Sequence, residues 1–122
     1  MTVRDAMSSQ AITLRDTDSA LSGLTVLVQK GISGAPVVSS DARLVGIVTE
    51  FDLLLAIDYV GDAVPISRVM SKEVLSVNAD TSLEEARRVM LRHHYGALPV
   101  VEGDKVIGVV ARRDILRVHF HL

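Results

Sequence analysis

The first half of this chain is written again in the second. Displaced by 63 positions, Met7-Ser8 falls on Met70-Ser71, Ser19 on Ser82, Val26 on Val89 and Pro36-Val37-Val38 on Pro99-Val100-Val101. One residue is lost after Asp41 and Asp104. With the displacement now 62, Gly46 falls on Gly108, Val48 on Val110, Asp52 on Asp114 and Leu54 on Leu116. An internal repeat of this kind marks supersecondary units that bury their apolar faces against one another. Two copies are too few for a solenoid, so the pattern predicts a closed pseudo-twofold pair.

Each half reads as β-α-β-β-α, a mixed α/β (α+β) unit. In the first, residues 1–59, a turn at Thr2–Met7 precedes a short strand at Ala11–Arg15. Ser19 is placed to cap a helix whose apolar residues Ala20, Leu21, Leu24, Leu27 and Val28 follow helical spacing, and Gly31 can end it in the left-handed conformation. A strand opens with Pro36 at its first residue, Ser39–Ala42 turns, Arg43–Val48 returns, and Glu50–Tyr59 is helical. Residues 60–65 form a linker. The second unit, residues 66–122, repeats the plan with a turn at Ile66–Met70, strands at Val74–Asn78, Leu98–Val101 and Val106–Val110, and helices from Ser82 to about His94 and over Arg112–Val118. The first of these two helices turns Leu83, Ala86, Val89 and Met90 inward and leaves Glu84, Glu85, Arg87 and Arg88 outside. His119–Leu122 reads as a tail.

Composition narrows the function. With no cysteine, disulfides and thiolate metal sites are excluded, and a reducing compartment, the cytoplasm, is the expected location. A net charge of −2 without a basic face disfavours nucleic acid as a partner. No apolar run reaches a membrane span. The histidines His93, His94, His119 and His121 show no metal-ligand spacing, so no metal is assigned. No nucleophile–base–acid set and no phosphate-loop pattern appears, so no catalytic residue and no catalytic cofactor is assigned.

The chemistry concentrates at two strand-to-helix junctions, Leu44–Leu55 and Val106–Arg117. Thr49-x-x-Asp52 has the form of a capping box, in which the hydroxyl accepts from a helix N–H and the acid reaches back. The second copy has Ala111 in place of the threonine yet keeps Asp114. An ionised Asp is an acceptor able to take two hydroxyl donors side by side, as acids do with ribose diols. Ile47 and Val109, just before the junctions, can wall a ring of adenine size. Ile32 and Tyr95 can wall it from the opposite side, and the small residues Ser33, Gly34, Gly96 and Ala97 allow close backbone approach. The alternative reading of these wall and bend residues is ordinary core and turn packing.

Taken together, Gly46-Ile47-Val48-Thr49-Glu50-Phe51-Asp52 fits a G-h-h-[ST]-x-x-D pattern, where h is apolar. With Ser33-Gly34-Ala35-Pro36-Val37-Val38, Gly96-Ala97-Leu98-Pro99-Val100-Val101 and the Val69-Met70-Ser71 entry, it resembles a cystathionine-β-synthase (CBS) domain pair, or Bateman module, over nearly the whole chain. The resemblance implies tandem motifs packed about a pseudo-twofold axis with clefts between them that bind adenosyl ligands such as AMP, ADP, ATP or S-adenosylmethionine. Carried over, Thr49 and Asp52 hold a ribose in a first cleft lined by Ile12, Ile32, Ser33 and Ile47. Asp114 serves a second, lined by Leu75, Tyr95, Gly96 and Val109. The His-Arg pair that some members place before the P-V-V strand is absent, leaving Lys72, Arg112 or Arg113 as phosphate contacts.

The resemblance therefore implies a non-catalytic sensor. With no enzyme or transporter domain expected beside the pair, its signal would pass to a separate effector protein. The alternative is a structural or interaction module with degenerate clefts. The helix from Phe51 to Ile57 is apolar nearly all round, which predicts burial by a partner. A homodimer through Phe51–Ile57 and its copy Ile115–Phe120 is expected.

Overall fold

In the computed structural model, which describes residues Met1–Leu122, each half builds a three-stranded sheet and two helices. The chain forms two compact units, Ile12–Val74 and Met1–Ala11 together with Leu75–Leu122. The first comprises β1 (Leu14–Arg15), α1 (Ala20–Lys30), β2 (Gly34–Val38), β3 (Leu44–Thr49) and α2 (Glu50–Tyr59). The second comprises β4 (Val77–Asn78), α3 (Leu83–His93), β5 (Ala97–Glu102), β6 (Lys105–Ala111) and α4 (Arg112–Phe120). In each sheet the short strand runs parallel to the middle one, and the middle one pairs antiparallel with the third.

The short strands are shorter than their apolar pattern suggests, and proline explains it. Leu14 and Arg15 pair with Val37 and Val38, and Asp16 N–H donates to the Val38 carbonyl at 3.0 Å. One step back along this parallel ladder the donor falls at Pro36, which has no N–H. Pro99 stands at the same place beside β4, whose Val77 and Asn78 pair with Val100 and Val101. Pro36 is thus the third residue of β2 rather than its first, with its register partner, Ile47, on β3.

Both hairpins carry a bulge at the same repeat position. The register steps from Val37↔Gly46 to Val38↔Leu44, skipping Val45, and from Val100↔Gly108 to Val101↔Val106, skipping Ile107. Such an extra residue bends the strand and increases its twist.

The sequence repeats and the compact units divide the chain differently, because the entry turns are exchanged. Val3–Asp5 forms a 3-10 turn whose Val3 and Arg4 N–H groups donate to the Thr81 and Ala79 carbonyls, in the other repeat. Val3 is fully buried there among Leu83, Ala86, Leu98 and Ile115. Ile66–Arg68 is the counterpart, with Ile66 and Ser67 N–H groups donating to Asp18 and Asp16, and Ile66 fully buried beside Leu14, Leu27 and Leu53. Each turn then reaches the outer edge of a sheet. Ser8 and Val109 exchange backbone hydrogen bonds at 2.9 and 3.0 Å, as do Ser71 and Ile47 at 2.9 Å each. These bonds cover a strand edge that would otherwise present unpaired groups.

The helices start as their caps dictate. Ser19 accepts from Ser22 N–H and Ser82 from Glu85 N–H, each at 3.1 Å. Gly31 ends α1 in the left-handed conformation (φ 67°), and His94 takes that conformation at the end of α3 (φ 59°). Helix α4 runs two residues beyond Val118, so His119 belongs to its last turn and its ring meets Phe120 edge-on. Arg87, expected to lie outside, is instead half-buried, and its Nε is enclosed without a hydrogen-bond partner.

Candidate functional site

The first junction is built by a sharp change of backbone. Thr49 remains extended (φ −114°, ψ 163°) while Glu50 begins α2. Thr49 Oγ1 accepts from Asp52 N–H at 3.2 Å, and Asp52 Oδ2 accepts from Thr49 N–H at 3.2 Å. The capping box expected from the sequence is therefore formed. It engages one carboxylate oxygen, and Oδ1 has no protein partner. An ionised carboxylate offers about four lone-pair sites, so Asp52 keeps acceptor capacity at a rigidly held position. Asp52 also faces a surface hollow of about 300 Å³ with Leu55, Ala56, Tyr59 and Val69.

Several other residues expected at this site meet the junction through the backbone. Glu50 N–H donates to the Ser33 carbonyl at 2.8 Å, and Gly34 is paired with Thr49. A Cβ on Gly34 would lie 2.9 Å from the Val48 carbonyl, so the strands approach closely there because the residue is glycine. Ile32 packs against the core of its unit, and Ile47 is tied to Ser71. Ile12 is half-buried and Lys72 is exposed.

The second junction differs in one respect that matters. Ala111 cannot cap α4 with its side chain, and Asp114 instead lies 3.6 Å from Arg117. Arg112 N–H donates to the Gly96 carbonyl at 2.8 Å, repeating the Ser33–Glu50 bond. Tyr95 stacks on His93 with ring centres 5.8 Å apart. Val109 is held by Ser8, Leu75 is partly exposed, and Arg112 and Arg113 are exposed.

The structure groups Tyr95 and Arg112 with residues the sequence did not single out. They line a cavity of about 370 Å³ between α3 and α4, together with Arg87 and His94, while Asp114 is not part of its lining. A signal was present in the sequence: Arg87, Leu91 and His94 fall on one stripe of α3, and Arg112, Leu116 and Phe120 on one stripe of α4.

A family model, the CBS domain, matches residues 3–59 and 66–121. The chain belongs to the CBS domain family. Among its relatives is the CBS domain-containing protein YhcV of Bacillus subtilis, 31% identical over 115 residues covering 93% of this chain and 81% of the relative. The A-adding tRNA nucleotidyltransferase of Aquifex aeolicus is 33% identical over 94% of this chain, which spans 14% of that protein's length. A homoserine O-acetyltransferase of Methanohalobium evestigatum is 34% identical over 94% of this chain, which spans 23% of its length. The fold of this CBS domain pair also matches solved structures. CBSX2 in complex with AMP superposes with a TM-score of 0.86 at 30% identity, covering 98% of this chain and 96% of that one. The CBS domain pair of MJ0100, in complex with 5′-methylthioadenosine and S-adenosyl-L-methionine, superposes with a TM-score of 0.85 at 25% identity, covering 99% and 97%. No helix of the chain is long and apolar enough to cross a membrane.

Proposed function

We propose that this CBS pair is a non-catalytic regulatory module that binds an adenosyl ligand through Thr49 and Asp52. The observation that carries this is the state of the Asp52 carboxylate. Oδ2 is fixed by the cap while Oδ1 stays free to accept from a ribose hydroxyl. Ile12, Ile32, Ser33 and Ile47 are the proposed surroundings of the base. Support comes from the solved relatives, whose CBS pairs hold AMP in one case and adenosyl sulfur compounds in another. AMP, ADP, ATP and S-adenosylmethionine are accordingly the ligands to compare.

Asp114, with Leu75, Tyr95, Gly96 and Val109, is proposed as a weaker second site. Its junction lacks the hydroxyl, and its acid faces Arg117. Lys72, Arg112 and Arg113 are the available phosphate contacts. A bound ligand alters the module only by its differential affinity for two arrangements, and an effector protein reads the difference. The module also forms a homodimer through α2 and α4, and it works in the cytoplasm.

A thermal-shift series with these ligands, on the wild type, Asp52→Ala and Asp114→Ala, tests the assignment. A ligand present at 100 times its dissociation constant adds about 2.7 kcal/mol, on the order of 10 °C for a chain of this size. The shift should vanish in Asp52→Ala and persist in Asp114→Ala. A wild type that responds to none of the ligands would leave the alternative, an interaction module with degenerate clefts. The exposed side chains of α2 favour that second reading.

A further inference from the structure

The cavity of about 370 Å³ between α3 and α4 lies apart from both junction aspartates. Its volume falls in the range of small-molecule pockets, about 300–1,000 Å³. Met90 and Ile115 give it buried apolar wall, and Leu91 and Phe120 line it while remaining exposed. Arg87, His94 and Arg112 are its basic groups, and no acid belongs to the lining. Every lining residue belongs to one compact unit of one chain, so the site stands whether or not the module pairs.

The basic groups want an acceptor that the chain does not provide. Arg87 Nε is enclosed without a hydrogen-bond partner. A donor enclosed without an acceptor costs free energy until one is supplied. The acids on these helices are engaged elsewhere, Glu84 and Glu85 with Arg88 and Asp114 with Arg117.

The repeat shows that this chemistry is peculiar to the second unit. Arg87, His94 and Arg112 stand where the first half has Leu24, Gly31 and Glu50. His94 takes the left-handed conformation (φ 59°) that Gly31 takes at φ 67°. A side chain pays for that conformation and a glycine does not. Phe120 replaces Asp58, and Tyr95 replaces Ile32. Two of the four Phe and Tyr rings in the chain thus line this one cavity.

We infer that the α3–α4 cavity binds an aromatic carboxylate, with its ring among Leu91, Tyr95 and Phe120 and its carboxylate on Arg87 and Arg112. A guanidinium presents paired donors that match the two oxygens of a carboxylate. An apolar wall suits a hydrocarbon ring rather than a sugar, whose hydroxyls would be left without partners. The inference does not depend on an adenosyl ligand at Asp52 or Asp114, because neither acid lines the cavity.

Titration calorimetry with naphthoate tests it. The wild type should bind one equivalent per chain. Neutral naphthalenemethanol should bind at least about 10-fold more weakly, since the charge-assisted hydrogen bonds are lost. Arg87→Met and Arg112→Met should each weaken naphthoate by roughly 10-fold or more. Without ligand, Arg87→Met should keep or raise the urea midpoint, because the enclosed donor is gone. A lower midpoint would give Arg87 to the fold and overturn its role here. Leu91 is 64% exposed, so Leu91→Glu should fold as the wild type does. It sets a carboxylate four residues from Arg87, within reach on the helix, and should abolish naphthoate binding. Binding lost in Asp114→Ala would assign the ligand to the second junction and overturn the separate site. Inorganic phosphate binding as tightly as naphthoate would overturn the aromatic class. A wild type that takes up no naphthoate would leave the cavity to a protein segment and overturn the inference.

Discussion

Gly46 is pressed against Met70: a Cβ at Gly46 would lie 2.5 Å from the Met70 sulfur and 2.9 Å from the Ser71 carbonyl oxygen. Gly108 stands in the same relation to the other entry segment, with a Cβ there 2.5 Å from the Ser8 carbonyl oxygen. The glycine of each strand is thus required by the exchanged segment that docks on it. Gly46→Ala and Gly108→Ala should each destabilise by about 1–3 kcal/mol through overpacking, read as a lower midpoint in urea. An unchanged midpoint in both would mean that the Met-Ser segments do not press on the strands.

The two junctions differ by one hydroxyl, and the difference can be exchanged. Thr49→Ala should cost about 1 kcal/mol from the lost cap, and it should weaken any ligand held at Asp52. Ala111→Thr should stabilise α4 by roughly 0.5–1 kcal/mol. Urea melts of the two variants should therefore move in opposite directions.

Ala42 adopts φ 67° in the first hairpin, a conformation the second hairpin gives to Gly103. An L-residue there costs roughly 1–2 kcal/mol, offset in part by the freedom glycine adds to the unfolded chain, about 0.4–1 kcal/mol. Ala42→Gly should raise stability by about 0.5–1 kcal/mol, visible as a midpoint a few degrees higher. The reverse change at Gly103 should lower it.

Gly23 in α1 and Ala86 in α3 are repeat equivalents, and so are Ile66 and Val3, which share their cores. A Cβ on Gly23 would lie 2.8 Å from Ile66 Cδ1. The larger residue accompanies the glycine in one unit, and the smaller accompanies the alanine in the other. Gly23→Ala should be more favourable by about 1 kcal/mol in an Ile66→Val background than in the wild type, a coupling read by a double-mutant cycle. Additive effects would sink the size-exchange account.

Most of the element plan was legible because it rests on local chemistry. Ser19, Ser82 and Thr49 act through bonds to residues three positions on, and the period of apolar residues separates helix from strand. The errors fell where a distant partner decides. The strands at Ala11–Arg15 and Val74–Asn78 shrank to two residues each because Pro36 and Pro99 end the ladder from across the sheet. Arg87 read as a surface residue on its own helix, yet its Nε is enclosed once the unit has packed.

By itself the sequence determined the repeat, the β-α-β-β-α order, the family and the Thr49–Asp52 cap. Each follows from residue spacing within a short stretch of chain or from one stretch matching another. Only the tertiary structure decided that Val3 and Ile66 pack into the core of the other repeat and that Ser8 and Ser71 close the sheet edges. It alone brought Arg87 and Arg112 to one cavity. Those outcomes depend on contacts between residues far apart in the chain, where shape and burial decide among partners that look alike in sequence.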